Sequence, residues 1–257
     1  MKGARRDLRN IASGIPANKN TVSALTGLWL LFSGTAFGQV ILDNFSASSE
    51  SKYTFAPVFP PNASDGWAVA GGELRPSTEE FASTTWLWNQ GEKLSATGDS
   101  VSISLSLLAD AGNGGFTSIG LFVAADTSLG DGHFVALSRN GDIWSYSFDG
   151  FSRQEAAPSG PVQLTIQRTG EPAVDGGFRY AVSFSGGGLP SPIIDSIYTT
   201  TTGSLLFGPY AENTTGALVG LDNFTFTAVP EPSMYVAVFG LLALTVVAVR
   251  SRTAGRS

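Results

Sequence analysis

Through the middle of the chain, apolar and polar residues alternate with a period of two. Val101, Ile103, Leu105 and Leu107 alternate with Ser102, Ser104 and Ser106, which predicts a strand with one apolar and one hydroxylated face. Val162, Leu164 and Ile166 alternate in the same way with Gln163, Thr165 and Gln167, and Phe178, Tyr180, Val182 and Phe184 do so ahead of Gly186-Gly187-Gly188. The runs 119–124 and 205–207 are continuously apolar and predict strands buried on both faces, while 199–202 reads as a polar edge strand. Between the runs 134–139 and 142–148 lies Asn140-Gly141, which predicts a hairpin with a two-residue type I′ loop because that turn needs positive φ. A second turn is expected at Asp149-Gly150. No segment before Met234 has helical periodicity. Short strands separated by Gly, Pro and Asn turns predict an all-β chain with a single antiparallel two-sheet sandwich over residues 39–228.

The tetrapeptide Leu-Asp-Asn-Phe occurs twice, at Leu42-Asp43-Asn44-Phe45 and at Leu221-Asp222-Asn223-Phe224. First and last strands that lie side by side share an environment and can share a pattern, so the two are expected to be neighbours.

The two ends differ from the middle. Residues 1–38 have a cationic front (Lys2, Arg5, Arg6, Arg9, Lys19), an apolar core from Val22 to Phe32, and small residues at Gly34, Ala36 and Gly38. This is the pattern of an export signal, with cleavage expected after Gly38 or at Gly34-Thr35-Ala36. At the other end, Val229-Pro230-Glu231-Pro232-Ser233 precedes the uncharged run 234–249, which is followed by Arg250, Arg252 and Arg256. The two prolines keep the chain extended before a predicted helix. At 1.5 Å per residue that helix covers roughly 24 Å against a hydrocarbon core of about 30 Å, a span completed by snorkelling arginines. Arg250 and Arg252 would stop passage of the tail through the membrane.

Charge sharpens this division. Between Gln39 and Ser233 there are 7 Lys/Arg against 20 Asp/Glu, a net charge of 7 − 20 = −13, while both ends are basic. Basic ends flanking two apolar segments predict a precursor with both termini in the cytoplasm and the acidic middle translocated. An acidic domain excludes nucleic acid as a partner, because binding phosphate needs clustered cations. The chain of 257 residues is 42% hydrophobic and 14% charged, with 31 glycines and no cysteine. Disulfides, a thiol nucleophile and a Cys-ligated metal are therefore excluded, and stability must come from packing.

The order Val229-Pro230-Glu231-Pro232-Ser233, apolar helix and arginine-bearing end resembles the PEP-CTERM sorting signal of bacterial envelope proteins. That resemblance covers about the last thirty residues. It implies processing by an exosortase-type protease, a transient membrane anchor through a transmembrane helix at 234–249, and final delivery to the cell surface or extracellular space. The middle resembles the concanavalin-like (laminin-G-like, glucanase) jelly roll, carried by Leu42-Asp43-Asn44-Phe45, the Asn140-Gly141 hairpin and Leu221-Asp222-Asn223-Phe224. The domain organisation expected is thus a signal peptide at 1–38, the sandwich at 39–228 and the sorting signal at 229–257.

Catalytic chemistry finds little support. Retaining glucanases of the jelly-roll group carry Glu-x-Asp-x-x-Glu or Glu-x-Asp-x-Glu, so that two carboxylates face one cleft. Neither motif occurs, and Glu79-Glu80 would point to opposite faces of a strand, with Glu73 read as another solvated acid. The lone histidine, His133, lies beside a glycine turn and reads as a surface residue; no Gly-x-Ser-x-Gly elbow accompanies it. Asp126, Asp131, Asp142 and Asp149 flank the central hairpin and could gather calcium, but their spacing defines no ligand set, so no cofactor is assigned. Asn-x-Ser/Thr triplets at Asn44, Asn62, Asn213 and Asn223 read as statistical in a chain so rich in Ser and Thr. Trp67, Trp86, Trp88 and Trp144 are the binding candidates, since flat aromatic faces stack on sugar rings. Trp86 and Trp88 share one strand face: either they form an exposed platform with Leu87 in the core, or they are core and Leu87 is exposed. The expected function is a non-catalytic exported envelope protein. A carbohydrate-binding module for exopolysaccharide is the alternative, and a divergent glycoside hydrolase the weaker one.

Overall fold

The computed structural model describes residues 38–229, apart from 48, 60–64 and 149–150, together with residues 239–246. In chain order the strands are β1 (Gln39–Asp43), β2 (Tyr53–Phe59), β3 (Asp65–Ala70), β4 (Glu73–Thr78), β5 (Ser83–Trp88), β6 (Ser100–Ala109), β7 (Thr117–Ala124) and β8 (His133–Asn140). They continue with β9 (Ile143–Phe148), β10 (Phe151–Gln154), β11 (Val162–Pro172), β12 (Phe178–Gly186), β13 (Ile193–Tyr198), β14 (Leu206–Glu212) and β15 (Leu218–Thr227). A single 3-10 turn, Glu50–Lys52, precedes β2.

Among the described residues these strands form two antiparallel sheets. The first has the order β13-β12-β11-β6-β15-β4-β3, with β1 also paired to β15; the second runs β10-β9-β8-β7-β14-β5-β2. The chain crosses repeatedly between the layers, with β7–β10 and β11–β13 as runs within one sheet, and the strand that ends the sandwich lies inside its sheet between β6 and β4. The fold is an all-β two-sheet antiparallel sandwich of jelly-roll type. The alternating strands behave as their patterns dictate: Val101, Ile103 and Leu105 of β6 and Leu164 and Ile166 of β11 are fully buried, and they face Ile119, Leu121 and Val123 of β7 across the core. β7 is buried at every position, as a continuously apolar strand should be.

β1 pairs β15, with Asp43 opposite Phe224. The repeated tetrapeptide has a structural reason. In a regular strand, residues three apart point to opposite faces, yet Leu42 and Phe45 are both buried, as are Leu221 and Phe224. Each copy contains a left-handed residue, Phe45 at φ 48° just past the end of β1 and Asn223 at φ 51° within β15, and the register shifts between Ile41 and Asp43 in β1 and between Asp222 and Thr225 in β15. The irregularity turns the phenylalanine back into the core. In the first copy Asp43 holds the bend by accepting the Phe45 amide at 2.9 Å and the Tyr53 hydroxyl at 3.1 Å.

Three expectations need adjusting. Residues 199–202 form no strand, whereas 193–198 does. The central hairpin closes on the pair Asn140 and Ile143, so its loop is Gly141-Asp142 rather than Asn140-Gly141. Positive φ falls at Gly141 (58°) and not at Asn140, which makes the turn II′-like instead of I′. The third concerns the ends. The helix at residues 239–246 is the middle of the expected span, and no helix among the described residues is long and apolar enough to cross a membrane. The leader 1–37, Pro230, Glu231, Pro232 and Ser233, the remainder of the 234–249 run, Arg250 and Arg252 all lie outside the described residues.

A β-branched side chain resists the positive φ that the hairpin requires. Gly141→Val should therefore lower stability by more than about 1 kcal/mol in thermal or urea unfolding. An unchanged transition would contradict the assigned turn.

Candidate functional site

The strands β2 and β3 are the last strands of their respective sheets on one side of the sandwich, and an aromatic cluster fills the opening between them. Tyr53 of β2 meets Trp67 of β3 edge-on at 4.8 Å and Trp88 of β5 at 5.3 Å, and Trp67 meets Trp86 at 5.4 Å. Packing stops short of the surface here. A recess of about 250 Å³ remains, lined by Glu50, Tyr53, Phe55, Trp67 and Trp86. Phe55 is 37% exposed at its rim. The indole N–H of Trp67 is buried and has no hydrogen-bond acceptor among the described residues. Tyr53 is fixed from behind by its bond to Asp43, and burial first, then the Asp43 carboxylate, pushes its phenol pKa well up, so it remains a neutral wall.

The tryptophans are thus divided differently from the sequence expectation. Trp86 and Trp88 are 2% and 5% exposed, so the pair forms no platform. Leu87 between them is only 1% exposed, which removes the other half of the choice as well. β5 is covered on both faces: its tryptophans enter the core between the sheets, and Leu87 joins a second apolar cluster with Phe122, Ala136 and Tyr210 on the other side of the sheet. Trp86 still contributes to the recess wall, while Trp88 does not line it and donates its indole N–H to Glu92 at 2.7 Å. Trp144 lines a smaller hollow of about 140 Å³ with Leu108, Arg139 and Ser159, and the Arg139 guanidinium lies 5.0 Å from its ring centre.

The acidic candidates are engaged in holding loops. Asp126 accepts the Ser128 amide and hydroxyl and the Gly130 amide, and these bonds, the Ser128 hydroxyl foremost, lower its pKa. Asp131 accepts the amides of Thr200 and Thr201, both at 2.8 Å, and contacts His133 Nε2 at 3.2 Å. Burial acts to raise the Asp131 pKa, but the amides and His133 together outweigh it and the value falls. His133 is not the surface residue expected; it is 8% exposed. Asp142 occupies the hairpin loop, and Asp149 lies outside the described residues. No group of three or more metal-ligating His, Asp or Glu side chains comes together among the described residues. Glu73 is on β4 and pairs with Arg75 at 3.3 Å, and Glu79 and Glu80 are exposed in the following turn.

Among the described residues Glu212, which has no distinguishing sequence signal, is the one carboxyl whose pKa is clearly raised. It accepts the Tyr210 hydroxyl at 3.0 Å, beside a Ser118–Ser138 hydroxyl pair at 2.7 Å. Burial is the dominant cause of its raised pKa, opposed by the bonds from Tyr210 and Ser118. A single such carboxyl, without a second facing it, supplies half of what hydrolysis of a glycoside requires.

No protein-family model matches the chain, and no curated protein matches it in sequence. Solved structures with a similar layout include lectin I-B4 from Griffonia simplicifolia (TM-score 0.49, 13% identity, covering 74% of this chain and 98% of that one). Lectin II from Ulex europaeus is similar at TM-score 0.48 and 11% identity, covering 74% and 97%. The exoplasmic/lumenal domain of VIP36, solved with Ca2+ and Man2 bound, is similar at TM-score 0.44 and 9% identity, covering 77% and 91%. Similarity at this level concerns the layout of strands alone.

Glu212, outside the recess, gives the sandwich a pH dependence of definite sign. Its folded-state pKa lies above the ordinary 4.5, so its contribution to stability is full below pH 4.5 and is lost as pH rises through the folded value. Relative to the parent, Glu212→Gln should become progressively more stable as pH is raised from 4.5 towards neutrality. Parallel melting-temperature profiles for the two proteins across that range would contradict the assignment.

Proposed function

We propose that this chain is an exported, non-catalytic envelope protein, anchored briefly by its C-terminal apolar run, cut by an exosortase-type protease and delivered to the cell surface or medium. The observation that carries this reading is the meeting of sequence and fold at Val229. Among the described residues the last bond between the sandwich and the chain that leaves it is from the Val229 amide to the buried carboxylate of Asp99, at 3.0 Å. The motif Val229-Pro230-Glu231-Pro232-Ser233 begins at that residue, so the sorting signal follows directly on the folded unit and takes no residue from a strand. A helix ending in Arg250 and Arg252 does not leave a bilayer spontaneously, because each charge in hydrocarbon costs about 2.5 kcal/mol or more, so release needs a cut.

A second reading concerns what the sandwich does once delivered. A carbohydrate-binding role is favoured by the open aromatic recess between β2 and β3, and exopolysaccharide is the glycan such a protein would meet. Catalysis is disfavoured by the isolation of Glu212 and by the engagement of Asp126, Asp131 and His133 within their loops.

Replacing Pro230, Glu231 and Pro232 by alanine should leave a full-length, membrane-retained protein, while the parent loses its tail and fractionates with the outer envelope or medium. Mass spectrometry of the mature C-terminus reads the outcome. A surface-located parent that still carries residues 241–256 would identify the tail as a permanent anchor and remove the sorting assignment.

A further inference from the structure

We propose that the recess between β2 and β3 is a binding site for one uncharged hexopyranose ring of a glycan, an inference that rests on the carbohydrate-binding reading above and gives it a place and a specificity. The walls are aromatic side chains from different strands: Tyr53 and Phe55 on β2, Trp67 on β3 and Trp86 on β5, with Phe55 the more open to solvent of the two on β2. Aromatic side chains of this kind pack against the C–H faces of a pyranose. The volume of about 250 Å³ falls below the usual ~300–1,000 Å³ of small-molecule sites, which suits a single ring instead of an extended oligosaccharide.

The polar groups narrow the ligand further. Glu50, exposed on the 3-10 turn, supplies the carboxylate that lines the recess, and an ionised carboxylate only accepts hydrogen bonds. It is matched by sugar hydroxyls, whereas the carboxylate of a uronic acid would be repelled by it and by the −13 charge counted above for residues 39–233. The Tyr53 hydroxyl is already committed to Asp43, which keeps that wall in position before a ligand arrives. At the Trp67 wall a buried N–H lacks an acceptor among the described residues, an unusual state for a buried donor and one that a ligand hydroxyl would relieve. The hollow at Trp144 is smaller, and the Arg139 guanidinium already lies against its aromatic face.

The test uses the full chain, purified in a polyoxyethylene detergent because sugar-headed detergents would compete. Gluco-, manno- and galacto-oligosaccharides and an oligogalacturonate are titrated in turn, with tryptophan fluorescence and calorimetry as readouts. At least one neutral oligosaccharide should bind and perturb the fluorescence, and the oligogalacturonate should not. Phe55→Ala should weaken that binding at least tenfold and Glu50→Gln several-fold, both at an unchanged melting temperature. Trp67→Phe, which keeps a ring but removes the N–H, should also weaken it, and Trp144→Phe should leave it as in the parent. Binding that survives Phe55→Ala and Glu50→Gln would overturn this site while leaving a carbohydrate-binding role in place. Failure of every neutral oligosaccharide to bind, or preference for the oligogalacturonate, would overturn the proposal, the former together with the reading it rests on.

Discussion

The sandwich is held together through its last strand. β15 hydrogen-bonds to β6 along one side and to β1 and β4 along the other, so the first sheet is three separate pieces, β13-β12-β11-β6, β4-β3 and β1, until residues 218–227 are in place. Phe224, turned inward by the irregularity at Asn223, then meets the rings of Tyr53, Trp88 and Phe207 at 6.2, 6.0 and 5.8 Å and joins the two sheets. These contacts link the extremes of the chain, a topology that closes late because loop-closure entropy is lost before the contacts are gained. On the export reading this ordering has a consequence. The sandwich cannot close until its whole length has emerged, and only residues 228–233 then separate β15 from the apolar run, at most roughly 20 Å of extended chain.

The same aromatic network explains why an opening exists where it does. Two sheets packed face to face must end somewhere, and among the described residues they end on this side at β2 and β3. Large rings close most of it: Tyr53 and Trp67 bridge the layers edge-on, with Trp86 behind. What they cannot fill is the recess beside Phe55. On the other side of the second sheet the problem is solved differently. There Phe134 stacks on Tyr210 at 5.4 Å above Gly120, which lies opposite Tyr210 on one neighbouring strand and opposite Ala136 on the other. Any β-carbon at Gly120 would come within 1.9 Å of the Val135 carbonyl oxygen, so the strand pairing itself demands glycine there.

Much of this is legible in the sequence wherever the physics is local. Period-two alternation marks β6, β11 and β12, the continuous run marks β7, and the doubled Leu-Asp-Asn-Phe marks the partnership of β1 and β15. Gly141 marks the hairpin, although the loop lies one residue further on, because a glycine next to both Asn and Asp suits two turn types. β13 escapes notice since Ile193, Ile194 and Ile197 follow no strict alternation and only Ile197 is buried. The site is less legible, and the reason is geometric. Whether a tryptophan is core or wall depends on which strands end the sheets, and that is decided by pairings between residues far apart in sequence. Leu87 and Trp86 are both buried because both faces of β5 are covered, which alternation alone cannot reveal. Glu212 carries no motif; its raised pKa comes from burial, which outweighs the opposing hydrogen bonds from Tyr210 and Ser118.

The claim on which the account turns is that β15 closes the sandwich as one cooperative unit reaching to the edge of the proposed sorting motif. Native-state amide hydrogen exchange of the full chain measures this directly. The amides of β15 and of its partner β6 should belong to the slowest set and exchange only by global unfolding, with the same free energy as the core strands β7 and β14. Exchange of β15 together with β1 through a separate, low-energy opening, while the rest of the sandwich stays protected, would contradict it.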